Sequence, residues 1–186
     1  MRIDIVSLHY LLMLTEYFAK IHDCDGTMIQ FSNFDYCYEK IRFQSNNNQL
    51  HGTLFFPDVS GSHPALIAVL GSLGVNYLDY WKEDAIPLWK SITDHLLDND
   101  FAVLFYNKPG VGDSGGDWSN ESFADRAANT KAAIDFLRNH NRIRTNDIGV
   151  IGHSQGGWIA QKVGADHPDL VKYIISSAGP AVSVNK

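Results

Sequence analysis

Cysteine is scarce in this chain. Cys24 and Cys37 are the only two among 186 residues, too few for a disulfide framework and without the paired spacing of a zinc site. A single bridge between them stays open, and a reducing, cytoplasmic compartment is the expected setting. Basic residues are not in excess either: 15 Lys and Arg against 21 Asp and Glu leave a formal charge of -6. Nucleic acid and anionic membrane surfaces both need a basic face, so neither is an expected partner. An uncharged or cationic small substrate suits the balance better. Long hydrophobic runs are absent. The most apolar stretch near the start, residues 5–14, is interrupted by His9 and bracketed by Asp4 and Glu16. It is too short to span a bilayer and has no small-residue cleavage site. Residues 1–36 are therefore expected to form an amphipathic helix or a poorly ordered leader, and no function attaches to them.

What is present is a composition of 45% hydrophobic and 19% charged residues, enough for one domain with a single buried core. From residue 37 to 186 short β-branched or aromatic runs alternate with longer helical patterns, the rhythm of an α/β sheet. Residues 38–44 and 50–56 read as an antiparallel hairpin around the polar turn 45–49. The continuous apolar runs 65–70 and 101–106, with the shorter runs 147–152 and 171–176, read as strands buried in a mostly parallel sheet. Helical spacing occupies residues 80–98, 121–139 and 155–166. In the first of these Ile86, Trp89, Ile92 and Leu96 form the apolar stripe, and in the second Phe123, Ala127, Ile134 and Leu137 do.

The pattern Gly-x-Ser-x-Gly occurs twice, at Gly152-His153-Ser154-Gln155-Gly156 and at Gly112-Asp113-Ser114-Gly115-Gly116. Setting separates the two. Ser154 directly follows a predicted strand and directly precedes a predicted helix, the strand-turn-helix order of a nucleophile elbow. The turn is sharp enough that side chains at Gly152 or Gly156 would collide with it, and the serine hydroxyl projects above the sheet. The helix amino terminus points backbone N-H groups at a developing oxyanion, that of Gln155 first. Ser114, in Gly-Asp-Ser-Gly-Gly, is spelled like the serine of chymotrypsin-like proteases. Those need two β-barrels, whereas this chain has long helical segments between its strands. Residues 108–116 are read as a structural loop after a strand.

Three segments together carry a wider likeness: Leu70-Gly71-Ser72-Leu73-Gly74, Asn107-Lys108-Pro109-Gly110-Val111-Gly112-Asp113-Ser114 and Gly152-His153-Ser154-Gln155-Gly156-Gly157-Trp158. With them the chain resembles the α/β-hydrolase superfamily, and within it the bacterial esterases related to dienelactone hydrolases and prolyl-oligopeptidase-type peptidases. The resemblance implies Ser154 as nucleophile, and the backbone N-H groups of Gln155 and Ser72 as the oxyanion hole. It implies acyl transfer to water from a small acyl substrate, esters first and thioesters or amides next, with no metal or organic cofactor. Leu70 stands where the family usually has histidine, which removes a hydrogen bond that shapes the loop.

In this fold the acid and histidine follow the nucleophile. After Ser154 the only histidine is His167, expected at the far end of the next helix with Asp166 and Asp169, and residues 177–186 contain no acid. His153 is read as packing, and His9, His22, His51, His63, His95 and His140 as surface or core residues. The expected fold is thus an α/β-hydrolase core incomplete at its C-terminal end, with about six of eight strands. Its last strand has an open edge that either further strands or a second copy would cover. A catalytically incomplete fragment or remnant is the competing reading to an active serine esterase.

Overall fold

The computed structural model describes residues 37–57, 60–81 and 87–179; the segment 1–36 lies outside the described residues. Strands β1 (Cys37–Ser45) and β2 (Asn48–Phe56) pair antiparallel from Cys37 opposite Phe56 to Ser45 opposite Asn48. The predicted five-residue turn is therefore only Asn46-Asn47. Asn46 makes this possible by taking φ 51, a left-handed conformation that asparagine tolerates better than most residues. Cys37 is disulfide-bonded, and Cys24, the other cysteine, lies outside the described residues. Such bonds persist in oxidising compartments, so the reducing setting inferred from cysteine count has no support from Cys37.

Strands β3 (His63–Val69), β4 (Ala102–Tyr106), β5 (Ile143–His153) and β6 (Tyr173–Ser177) complete one sheet in the order β1-β2-β4-β3-β5-β6. β2 meets β4 antiparallel, and the pairs β4-β3, β3-β5 and β5-β6 are parallel. This is the mostly parallel sheet that the apolar runs predict. β5 is longer than expected because its register shifts: His63 pairs with Ile143, but Ala65 pairs with Ile148.

Side chains of period two send alternate residues to opposite faces. On one face Ala65, Ile67 and Val69 join Leu104, Val150 and two helices, α2 (Phe123–Arg138) and α3 (Gln155–Asp166), through Ala133, Ile134, Leu137, Ile159 and Val163. On the other, Leu66, Ala68, Phe105 and Ile151 pack against Tyr77 and Trp81 of a short 3-10 turn and against helix α1 (Leu88–Asp98). Of the expected helix 80–98, Leu88–Asp98 is α-helical, residues 80–81 belong to the 3-10 turn, and 82–86 lie outside the described residues. Pro87 precedes Leu88, and proline in a helix interior would remove a backbone hydrogen bond and clash with the preceding turn. The inner stripe of α1 is Trp89, Thr93 and Leu97; the Thr93 hydroxyl is buried at no loss because it donates to the Trp89 carbonyl at 2.8 Å. Helix α2 starts at a capping box in which Ser122 and Asp125 exchange side-chain and backbone bonds, satisfying two otherwise orphaned donors.

β6 pairs on one side only, with β5. Ile175 in this strand is 42% exposed. The open edge expected from sequence is present among the described residues, which also contain no helix long and apolar enough to cross a membrane.

Candidate active site

β5 delivers Ser154 to the carboxyl end of the sheet. Ser154 sits at φ 54, ψ -122 immediately before α3, a backbone region that costs an L-residue about 1–3 kcal/mol and persists only where the surroundings dictate it. Those surroundings are backbone. The Ser154 N-H donates to the Ser177 carbonyl at 2.9 Å, and its carbonyl accepts from the Gly157 N-H at 2.9 Å. A side chain on Gly152 would overlap the Gly156 carbonyl and stand 2.6 Å from the Gly157 nitrogen; one on Gly156 would overlap the Val69 carbonyl and lie 2.8 Å from that of Leu70. Close backbone approach thus leaves no room for a side chain at Gly152 or at Gly156.

The Ser154 side chain is exposed. The loop after β3 abuts it, since a Cβ on Gly71 would be 3.6 Å from the Ser154 Cβ. Ser72 and Gln155 line a common cavity of about 230 Å³ with Lys108, Trp118, Glu121 and Arg126. Sequence reasoning passed over Arg126 and Glu121 and saw Lys108 only as part of a loop. A signal was available: Arg126, Asn129 and Thr130 lie on the buried side of α2 beside Ala127, Ala133 and Ile134, and an arginine inside an apolar stripe demands partners.

Those partners are the loop. Arg126 Nη2 donates to the carbonyls of Leu70 at 2.7 Å and Gly71 at 3.4 Å, while Nη1 donates to the Gln155 side-chain oxygen. Lys108 Nζ donates to the carbonyls of Gly71 at 2.5 Å and Leu73 at 2.7 Å. Two cations thus hold the carbonyls of the loop that begins at Leu70. Burial, and then the Arg126 charge, lower Lys108 to about 8, with Glu121 opposing. Burial raises Glu121, against the Asn129 hydrogen bond and the charge of Arg126.

Ser114 is part of the scaffold. Its hydroxyl, buried beneath the loop, accepts from the His51 N-H at 2.9 Å and donates to the Asn107 carbonyl at 3.1 Å. The histidines are dispersed. His63 binds Asp100 at 2.7 Å at the opposite end of β3, His140 binds Glu39 at 3.0 Å, and His95 lies in α1. His167 caps the far end of α3, about 18 Å along the axis from Ser154 at 1.5 Å per residue. Asp166 pairs with Lys162 at 2.8 Å. The His153 ring lies edge-on to Trp89, with 6.5 Å between centroids. His9 and His22 lie outside the described residues. Among the described residues, none accepts a hydrogen bond from the Ser154 hydroxyl.

Comparison with known proteins identifies the family and the fold. The sequence model of the family described as serine aminopeptidase, S33, matches residues 86–186, more than half of the chain. The chain belongs to this family of α/β-hydrolases. Among its relatives is the 2,6-dihydropseudooxynicotine hydrolase of Paenarthrobacter nicotinovorans, 31% identical over 119 residues, which cover 63% of this chain and 29% of that one. The fold is shared with Est1E from Butyrivibrio proteoclasticus, solved with ferulic acid bound (TM-score 0.62, 21% identity, 74% of this chain and 53% of that one). It is shared also with a Pyrococcus furiosus esterase (TM-score 0.63, 19% identity, 83% and 54%). The chain thus spans under a third of that hydrolase and about half of each of these two structural neighbours.

Proposed function

We propose that Ser154 is the nucleophile of a serine hydrolase of the carboxylesterase type. The observation that carries this is the Ser154 backbone: a non-glycine residue held at φ 54, ψ -122 with an exposed hydroxyl has no structural benefit to offset its strain. In the reaction Oγ attacks an ester carbonyl, and the N-H groups of Gln155 and Ser72 receive the oxyanion. The alkoxide leaves as alcohol and water releases the acyl group. The cavity beside Gln155 takes the acyl or alcohol portion; at about 230 Å³ it falls below the ~300–1,000 Å³ of sites for drug-sized ligands and suits a small group. A carboxylic acid bound to one structural neighbour, ferulic acid in Est1E, and the esterase name of another favour esters over thioesters and amides as substrates.

The hydroxyl proton needs an acceptor, and the described residues place none there. This favours a second reading, a catalytically incomplete chain that keeps the elbow as scaffold. A second copy seated on the open edge of β6 is proposed both as cover for that edge and as one source of a base. Intact-protein mass after treatment with a fluorophosphonate distinguishes the readings. One adduct per chain, abolished by Ser154→Ala, is the outcome for an activated nucleophile; folded but unlabelled protein refutes the esterase reading for this chain.

A further inference from the structure

Resting on Ser154 as nucleophile, we infer that Lys108 and Arg126 are positioning residues that aim and polarise the Gly71–Ser72 peptide as an oxyanion donor. A trans peptide is planar, with its C=O and N-H pointing in opposite directions. The Gly71 carbonyl is engaged by both cations, at 2.5 Å from Lys108 Nζ and 3.4 Å from Arg126 Nη2. Fixing that oxygen fixes the Ser72 N-H on the other side of the same plane, away from the cations. That N-H has no backbone partner among the described residues. The flanking carbonyls are held in the same way, Leu70 by Arg126 and Leu73 by Lys108, so the loop cannot rotate the peptide without breaking several charge-assisted bonds.

Polarisation follows from the same contacts. A positive charge on a carbonyl oxygen draws electron density from the amide nitrogen and strengthens its N-H as a donor, the cooperative effect of hydrogen bonds in series. Arg126 also binds the Gln155 side chain, so one guanidinium braces the residues that carry both proposed oxyanion donors. The charges facing Lys108 are Arg126 from α2 and Glu121 from the turn before it; the Trp118 ring lies 5.6 Å from its Nζ. Burial among these groups brings Lys108 to about 8, within reach of ordinary titration, while Arg126 stays charged throughout. Above that pH the amine still donates hydrogen bonds, but one of the two positive charges on the Gly71 carbonyl is gone.

The test is the Ser72 amide resonance of the full chain, followed by 15N-1H NMR from pH 6 to 10, in wild type, Lys108→Gln and Lys108→Arg. Wild type is expected to show one titration of this amide with a midpoint near 8. In Lys108→Gln the titration vanishes, and the resonance sits near the high-pH wild-type position. In Lys108→Arg it vanishes as well, and the resonance stays near the low-pH position. A Ser72 amide that ignores pH in wild type overturns the inference, as does a titration that survives in Lys108→Gln. None of these outcomes depends on turnover. Absent fluorophosphonate labelling with the titration intact would defeat the nucleophile reading alone.

Discussion

Replacing Gly156 with alanine puts the elbow's packing to a direct stability test. The added Cβ would overlap the Val69 carbonyl oxygen and lie 2.8 Å from both the Leu70 carbonyl oxygen and the Val69 carbonyl carbon. All three are backbone atoms at the end of β3, so no side chain can swing aside; β3 or α3 must move. Overpacking of this kind costs about 1–3 kcal/mol and occasionally more, and the rigid neighbours place this site near 3 kcal/mol on the same scale. The substitution also gains something, since alanine is about 1 kcal/mol better than glycine within a helix. The clash wins, leaving about 2 kcal/mol of net destabilisation. At about 2–4 °C per kcal/mol for a chain of this size, the melting temperature should fall by about 4–8 °C. Gly115→Ala, in the second Gly-x-Ser-x-Gly, is the control. Its Cβ would meet only the Gln49 carbonyl, at 3.9 Å, so stability should be unchanged or slightly raised through the unfolded chain. Thermal unfolding followed by circular dichroism reads both. A Gly156→Ala melting temperature at or above wild type would refute the close-approach argument and the assignment of Gly156 as an elbow glycine.

Two further outcomes follow from the same geometry. Ser154→Gly should raise stability by about 1–2 kcal/mol, because glycine occupies positive φ without the penalty of a Cβ, while abolishing fluorophosphonate labelling; a stability loss in chemical denaturation would show that the serine is not strained. Ser114→Ala should cost about 1 kcal/mol, because it leaves the half-buried His51 N-H without its acceptor, and should leave labelling at Ser154 unchanged; loss of the label would show that the two motifs are not separable.

The sheet was legible because its signal is periodic and redundant. Four apolar runs, each long enough for one strand and too short for a helix, fix β3 to β6, and the pattern Ala65, Ile67, Val69 against Leu66, Ala68 fills two cores at once. Boundaries were less legible where one residue overrides a pattern. Pro87 stands at the start of the helix Leu88–Asp98, in a stretch whose spacing looks helical from residue 80, and Asn46 permits a turn tighter than the polar run around it suggests. The elbow could be read because its constraint is local, with Gly152, Ser154 and Gly156 contiguous in sequence as they are in space. The brace behind it could not. Lys108 and Arg126 reach Gly71 from positions 37 and 55 residues away, and neither residue type nor spacing says that two cations on different elements converge on one carbonyl.

The same contrast bears on the departure at Leu70. Read alone, a leucine in place of histidine weakens the loop that carries Ser72. In the folded chain Leu70 is buried, and its carbonyl accepts from Arg126 at 2.7 Å. Its apolar side chain therefore adds to the core while a neighbouring helix holds its carbonyl. Two cations supply bonds to three of the loop's carbonyls and place positive charge on the peptide beside the serine. The loop's support thus comes from α2 and from the loop after β4. The proposed oxyanion donor at Ser72 therefore sits in a loop whose hydrogen bonds come from groups outside its own motif.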